Sequence, residues 1–329
     1  MLYRKDAIDP IYQGVSELTV GYKKRVLATD PRFRCFLCDI ADKSYYNNHE
    51  SLKKNPIVII TNSVLQGYGD YVNDYVERVN NSFYGIFYRD YQLADVPVVK
   101  DYNCFINRID PIRQSWFYQL IRNDLLERGC VSFNLALVDG TGPLMDLGTN
   151  NSKEVFEILF DRYLKIFQQE HEIAQKIVPY KNFTDTGDLA DTIMATKLSI
   201  ILETYAAEDA ITFSEKTFRC LQLPRLWLLN NSPNSVDELR KMGFDVLDDI
   251  VNHNLYDSLL EVPRQAVMLQ LTKELIQLDF PSIKTRLEEA AKHNQNLLRQ
   301  WNLTWKQDFE TTIQQAKHKL EKLLNHAHT

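Results

Sequence analysis

Leu198-Ser199-Ile200-Ile201-Leu202, then Thr212-Phe213-Ser214-Glu215-Lys216-Thr217, then Arg225-Leu226-Trp227-Leu228-Leu229 is the stretch whose reading decides the fold. The two apolar runs are short and continuous, the pattern of strands buried on both faces of a parallel sheet. A polar segment, 203–209, follows the first run. Ser214 stands where an N-cap belongs, with Glu215, Lys216 and Thr217 in the first turn of a helix. A second polar loop, 230–234, follows the second run, and Ser235 opens a short helix that ends at Gly243. Strand, loop and helix, twice over, describe an α/β sheet. A ligand carrying ribose and phosphates binds such a sheet at the carboxyl ends of its strands, over helix N-termini. Glu215 and Lys216 fall at that edge. A carboxylate there can accept from ribose hydroxyls, and an ammonium beside it can meet a diphosphate.

The same rhythm recurs upstream. Asn103-Cys104-Phe105-Ile106-Asn107-Arg108 reads as a strand, and Ile109-Asp110-Pro111-Ile112-Arg113 turns into a helix running to about Glu127. Asp110 before the helix and Pro111 at its first position fit the start rules, and Gly129 fits a C-cap. Residues 131–133 then begin another strand. Arg113 falls in the first helical turn, facing the carboxyl end of a strand.

The first third alternates in the same way. Segments 33–40 and 56–61 are strand candidates, 70–80 carries a helical stripe (Tyr71, Val72, Tyr75, Val76, Val79), and 82–88 reads as a third strand. The loop before the helix, 62–70, brings Gly67, Gly69 and Asp70 to a strand's carboxyl edge. Its glycine spacing matches neither a dinucleotide fingerprint nor a P-loop. Segment 139–149 is loop-like, 155–176 an amphipathic helix, and 180–188 polar and irregular. From Pro281 to about His326, apolar residues recur every three or four positions, which predicts one long helix, or two, packing across the body. A boundary near Val96-Pro97 divides the chain into 1–97, 98–280 and the helical tail 281–329.

The chain has 329 residues and a formal net charge of −6, with 44% hydrophobic and 25% charged residues, ordinary for a globular protein. The acidic balance gives no support to a protein whose whole surface coats nucleic acid, while leaving room for a local basic groove. No run reaches the ~20 apolar residues of a membrane span. The N-terminus has no apolar h-region. Five cysteines, an odd number, suggest a reducing compartment, and hence the cytoplasm. Cys35 and Cys38 form a lone C-x-x-C in a strand-like setting, which favours buried structural thiols over a metal or redox site.

Two segments together resemble the nucleotide-binding half of a GT-B glycosyltransferase, specifically the α-1,3-fucosyltransferase-like group. The first is 103–113 with Phe117-Tyr118 and Leu120, similar to that family's strand, turn and helix-opening arginine. The second is Leu202-Glu203-Thr204 followed by Phe213-Ser214-Glu215-Lys216, similar to its Phe-Glu-Asn, short loop and Thr-Glu-Lys. Leu239-Arg240-Lys241-Met242-Gly243-Phe244 also resembles phage-encoded and giant-virus members. The likeness spans about 103–257. It implies an α/β, GT-B-like fold: two Rossmann-like domains with parallel sheets facing a cleft, the first on the acceptor side, the second holding the nucleotide-sugar. It further implies that Arg113 binds the donor diphosphate, Glu215 holds the ribose, and Lys216 neutralises the phosphates as the sugar–phosphate bond breaks. Glu203, Thr204 and Ser214 join them as donor-binding positions. Thr204 departs from the family's asparagine, and Ser214 replaces its threonine.

Chemistry supports the same roles. A nucleoside diphosphate leaving group gathers negative charge, and preorganised cations stabilise it. No Asp-x-Asp clamp occurs in the chain, so the sequence requires no metal, and the expected cofactor is a nucleotide-sugar, a UDP-sugar ahead of a GDP-sugar. Inverting transfer needs a carboxylate base near the acceptor hydroxyl, for which Asp70 is the candidate; Asp70 equally fits the N-cap of the helix that follows it. Arg108 is either a second anion contact or a sheet-edge residue. A Glu-Lys pair at a helix start also arises from dipole complementation alone. The leading acceptor is a 5-hydroxymethylcytosine in phage duplex DNA, approached through basic residues such as Lys23-Lys24-Arg25, Lys53-Lys54, Arg122 and Arg128. A glycan or lipid-linked sugar is the second acceptor class. A non-enzymatic binding module on a decayed fold is the reading from a different functional class.

Overall fold

The computed structural model describes residues 24–27, 35–38, 53, 58–61, 64–65, 72–91, 96–106, 111–133, 189–203 and 210–327. In chain order the elements are β1 (Lys24–Leu27), β2 (Cys35–Cys38), β3 (Val58–Thr61), β4 (Val64–Leu65), α1 (Val72–Tyr75), β5 (Val76–Arg78), β6 (Lys100–Ile106), α2 (Pro111–Arg122), β7 (Gly129–Phe133), α3 (Leu189–Met194), β8 (Thr196–Leu202), β9 (Ala210–Ile211), α4 (Glu215–Leu221), β10 (Leu226–Asn230), α5 (Ser235–Lys241), α6 (Glu261–Leu275) and α7 (Phe280–Ala327). The segments 139–149, 155–176 and 180–188 singled out in the sequence lie outside the described residues.

The two apolar runs form β8 and β10, paired in parallel from Leu226↔Leu198 to Asn230↔Leu202. Every residue of β10 is buried, as the absence of polar alternation requires. The sheet order is β10-β8-β6-β7, all parallel. The chain leaves β6 toward β7 and then returns to β6's other side as β8. The carboxyl ends of β6 and β8 therefore flank a topological switch point, where open α/β sheets bind ligands.

A second sheet, β1-β2-β3-β5, is parallel except for the β1–β2 pair. A two-stranded ribbon ties the sheets together. β4, two residues beyond β3, pairs antiparallel with β9, in the connection after β8 (Val64↔Ile211, Leu65↔Ala210). The ribbon joins the connections that leave the carboxyl ends of both sheets.

Helix α7 underlies both sheets. Its 48 residues span roughly 70 Å. Leu287, Ala290 and Leu298 enter the core of the β10-β8-β6-β7 sheet. Trp305, Phe309, Ala316 and Leu320 form a separate core with Val58, Ile60, Val79 and Phe83. Polar contacts hold it at both ends. Asn294 accepts from the Asp245 amide (2.8 Å) and donates to the Leu221 and Asp245 carbonyls (3.0 Å each). Lys319 donates to the Val76 carbonyl (2.6 Å) and pairs with Glu77 (2.9 Å).

Three elements differ from the sequence reading. The helix expected over 70–80 is the single turn α1, and its stripe continues as strand β5, because Ile59, Ile60 and Thr61 of β3 offer a ladder to Val76–Arg78. The strand expected over 82–88 is a 3₁₀ segment, Asn81–Phe87, capped by Asn80 accepting from the Ser82 amide (3.4 Å). Its burial comes from α7, not from a sheet. Gly129, expected as a C-cap, opens β7 beneath the Tyr102 ring; α2 stops at Arg122, and Asp124 takes the left-handed turn (φ 53°).

Gly85 shows how tight the α7 contact is. A Cβ there would lie 2.3 Å from the Asn302 nitrogen and 2.4 Å from the Trp301 carbonyl carbon. Both are helical backbone and cannot swing aside. Gly85→Ala is expected to lower unfolding free energy by about 1–3 kcal/mol in urea titration, by forcing the segment off the helix.

Beyond β10, His253 stacks on Trp227, with centroids 4.6 Å apart. Its Nε2–H donates to the Val246 carbonyl (2.8 Å). Its Nδ1 accepts from the Tyr256 hydroxyl (2.7 Å), which itself accepts from the Leu229 amide (3.2 Å). Each polar atom has its complement only if the ring is neutral. Burial pushes the imidazole down to about 4. Between this value and the ordinary ~6.5 the unfolded chain binds a proton that the folded chain refuses, so stability falls as pH drops through the window. The loss attributable to this group is about 3 kcal/mol, and His253→Gln should flatten that part of the stability–pH curve measured by urea titration.

Candidate functional site

Glu203 is the centre of the carboxyl edge. It lies immediately after β8, buried, and its amide donates to the Asn230 carbonyl (3.0 Å). Its carboxylate binds the start of α4. One oxygen accepts from the Ser214 amide (2.9 Å) and the Thr217 hydroxyl (2.6 Å), the other from the Ser214 hydroxyl (2.5 Å). Ser214 caps α4 by accepting from the Lys216 amide (3.3 Å). The N-cap read from the sequence therefore exists, and Glu203 holds it in place.

Arg113 closes the other side. From the first turn of α2, after β6, its Nη2 donates to the carbonyls of Leu202 (3.3 Å) and Glu203 (2.9 Å) at the end of β8. The guanidinium is buried and crosses the switch point. Arg113, Glu203 and the Ser214–Lys216 turn thus form one connected polar group, although they come from separate strand–helix units.

The Glu215–Lys216 pair stands at the outer face of this group, each side chain partly exposed. Lys216 Nζ lies 3.1 Å from Glu215 Oε1 and 3.4 Å from Ser214 Oγ. Burial raises the Glu215 carboxyl, but the Lys216 ammonium beside it outweighs that and holds it below the usual carboxylate range. Phe213 and Phe218, flanking the turn, are fully buried and pack on Tyr84, with Phe218 at 4.7 Å between centroids. This aromatic contact links the turn to the 3₁₀ segment over α7.

Of the remaining sequence candidates, Asp70, Thr204 and Arg108 lie outside the described residues. Arg122 closes α2 and Arg128 precedes β7, so both sit at the opposite, amino edge of the sheet. There Arg128 pairs with Asp101 (2.7 Å). Burial pushes the Cys104 thiol up to about 12 and the Cys220 thiol to about 11, which keeps both protonated and unreactive.

Comparison with family models, with curated proteins and with solved structures finds no match to the chain.

The structure adds residues around the polar loop 230–234 that the sequence reading did not single out. Asp257 accepts from the Val236 and Asp237 amides (2.9 Å each) and so caps α5 from a distance of twenty residues or more. Asn230 Nδ2 donates to Glu261 Oε1 (2.9 Å), which also accepts from Gln265 Nε2 (2.7 Å). Gln265 in turn meets the first turn of α2, donating to the Ile112 carbonyl (3.0 Å) and accepting from the Ser115 hydroxyl (2.9 Å). The Asn230-Asn231 pair ending an apolar run was a visible signal. The long-range partners had none. Among the described residues, no group of three or more His, Cys, Asp or Glu is arranged to hold a metal ion, and no helix is long and apolar enough to cross a membrane.

Removing the Glu203 carboxylate strands two hydroxyls and an amide in the interior. Glu203→Leu is expected to cost about 3 kcal/mol in urea unfolding, and Glu203→Gln, which keeps part of the set, about 1 kcal/mol.

Proposed function

We propose that the protein is a nucleotide-sugar-dependent glycosyltransferase of GT-B type, holding its donor at the carboxyl edge of β6, β8 and β10. The supporting observation is the β4–β9 ribbon, which draws together the connections leaving both sheets just ahead of Ser214-Glu215-Lys216. A donor over the β10-β8-β6-β7 sheet would then face the connection after β3, which carries Asp70 in the sequence. In this reading the Lys216 ammonium meets the diphosphate as the glycosidic bond to phosphate breaks and charge gathers on the leaving oxygen. Arg113 keeps the end of β8 and the α2 turn in register, and contributes positive charge from behind. Asp70 takes the proton of the acceptor hydroxyl. The carboxyl-edge position of the turn, its exposure and its rigid aromatic backing all suit a ligand contact.

The acceptor proposed first is 5-hydroxymethylcytosine in phage DNA, which places the activity in the host cytoplasm. A glycan or lipid-linked sugar is the alternative acceptor. The position of Arg122 and Arg128 on the far edge leaves a DNA-binding role to the side of the β1-β2-β3-β5 sheet. One observation favours a second functional class. The N-termini of α4 and α5, where a phosphate would dock, already receive the carboxylates of Glu203 and Asp257. A non-catalytic module that kept the fold would look like this at those helices.

The two readings separate on ligand stabilisation. A donor at a hundredfold excess over its Kd adds about 2.7 kcal/mol to stability, so UDP, GDP or one of their sugars should raise the melting temperature by several degrees. Lys216→Ala should abolish transfer and most of that shift, and Arg113→Ala should abolish transfer; both should leave acceptor binding intact. No shift across the nucleotide panel favours the module. Transfer to oligosaccharides, with none to hydroxymethylated DNA, removes the DNA acceptor.

A further inference from the structure

Three acceptor atoms at the carboxyl end of β10 have no hydrogen-bond donor among the described residues: Asn230 Oδ1, Asn231 Oδ1 and Glu261 Oε2, all buried atoms. Asn230 and Asn231 are 2% and 1% exposed. Their orientation is fixed by the other half of each group. The Asn230 amide nitrogen is committed to Glu261 Oε1 (2.9 Å), and the Asn231 nitrogen to the Thr212 carbonyl (3.1 Å). Glu261 Oε1 already takes two donors. Flipping either amide would break the contact that holds it and leave its nitrogen unsatisfied instead. A buried acceptor without a donor is costly, and three at one sheet edge define a demand for hydrogen-bond donors.

The surroundings specify what kind of donor. Glu261 opens α6, so its carboxylate occupies the helix end that would otherwise favour an anion. Asp257 and Glu203 add negative charge along the same edge. A phosphate is repelled there; hydroxyls are not. The buried Arg264 guanidinium, on the same turn of α6, offsets part of the charge of Glu261 and Asp257; the partly exposed cation along this edge is Lys216, reached through Asn231 and Thr212 and then the Ser214 turn. Leu260 and Val262, on either side of Glu261, are 54% and 79% exposed, an apolar margin suited to a ring face.

We propose that Asn230, Asn231 and Glu261 form a nucleoside subsite that takes the ribose hydroxyls of the donor, with the diphosphate directed toward Lys216. This rests on the nucleotide-sugar reading and refines it. The resemblance gives the ribose to Glu215, whereas here Glu215 is engaged by Lys216 and the carboxylate with a donor-seeking oxygen is the half-buried Glu261.

The test compares UDP and GDP with their 2′-deoxy and 3′-deoxy forms, and with inorganic pyrophosphate, by calorimetry on the full chain. The subsite predicts that at least one ribonucleotide binds about tenfold more tightly than a deoxy form. Glu261→Gln should erase that preference while leaving pyrophosphate affinity unchanged, and Lys216→Ala should weaken pyrophosphate. The ribo–deoxy comparison on the unmodified protein stands even if Glu261→Gln does not fold. Equal binding of ribo and deoxy forms overturns the subsite and leaves the nucleotide reading intact. Retention of the preference in a folded Glu261→Gln protein also overturns it. Stabilisation by Mg²⁺ or Ca²⁺ alone, lost in Glu261→Gln, identifies a cation site instead. Absence of any nucleotide binding overturns both readings.

Discussion

A single buried carboxylate organises the carboxyl edge. Glu203 ends β8, fixes the start of α4 through Ser214 and Thr217, and has its own backbone held by Arg113 from the next strand–helix unit. Such a group is stable in the interior because every lone pair that matters has a donor. Its geometry then dictates where the Glu215–Lys216 pair can stand. The pair's reach into solvent and the loop's rigidity follow from the same fact: the polar face is tied to Glu203 and the apolar face, Phe213 and Phe218, is sunk among aromatics.

The edge has a graded character. Carboxylates cluster along β10 and α6, and the partly exposed ammonium lies at α4. A ligand with a polar, uncharged end and an anionic end would bind in one direction only. That polarity comes from side chains whose individual roles are structural, capping α5 or bracing α6 against α2. The donors and acceptors of this edge are thus set by how helix ends are satisfied, with Asn230 Oδ1, Asn231 Oδ1 and Glu261 Oε2 left over.

Much of this was legible in the chain. The runs ending at Leu202 and Leu229 are continuous because both faces are covered, and the Ser214 cap and the Pro111 helix start are local signals that the structure contains. The misreadings share one cause. Ser82 to Tyr88 reads as strand because it is apolar, yet Phe83 is buried by Trp305 and Phe309, more than two hundred residues away, and Tyr84 by Phe213 and Phe218. Val76 continued a helical stripe but found a strand partner in β3. Asp257 and Glu261 gave no sign of their importance, since their partners lie in segments that only the fold brings near. Local chemistry announces caps and buried strands; it cannot announce which distant residue completes them.

Helix α7 gives the two sheets a common rigid member, an unbroken rod gripped at one end by Asn294 and at the other by Lys319. The glycine contact at Gly85 presses backbone against backbone between those grips, nearer to Asn294. Two lobes joined by a flexible linker alone can swing apart in any direction. Lobes that share a rod, and are stitched a second time by the β4–β9 ribbon, keep their spacing along its length, so the width of any crevice between them is written into the fold.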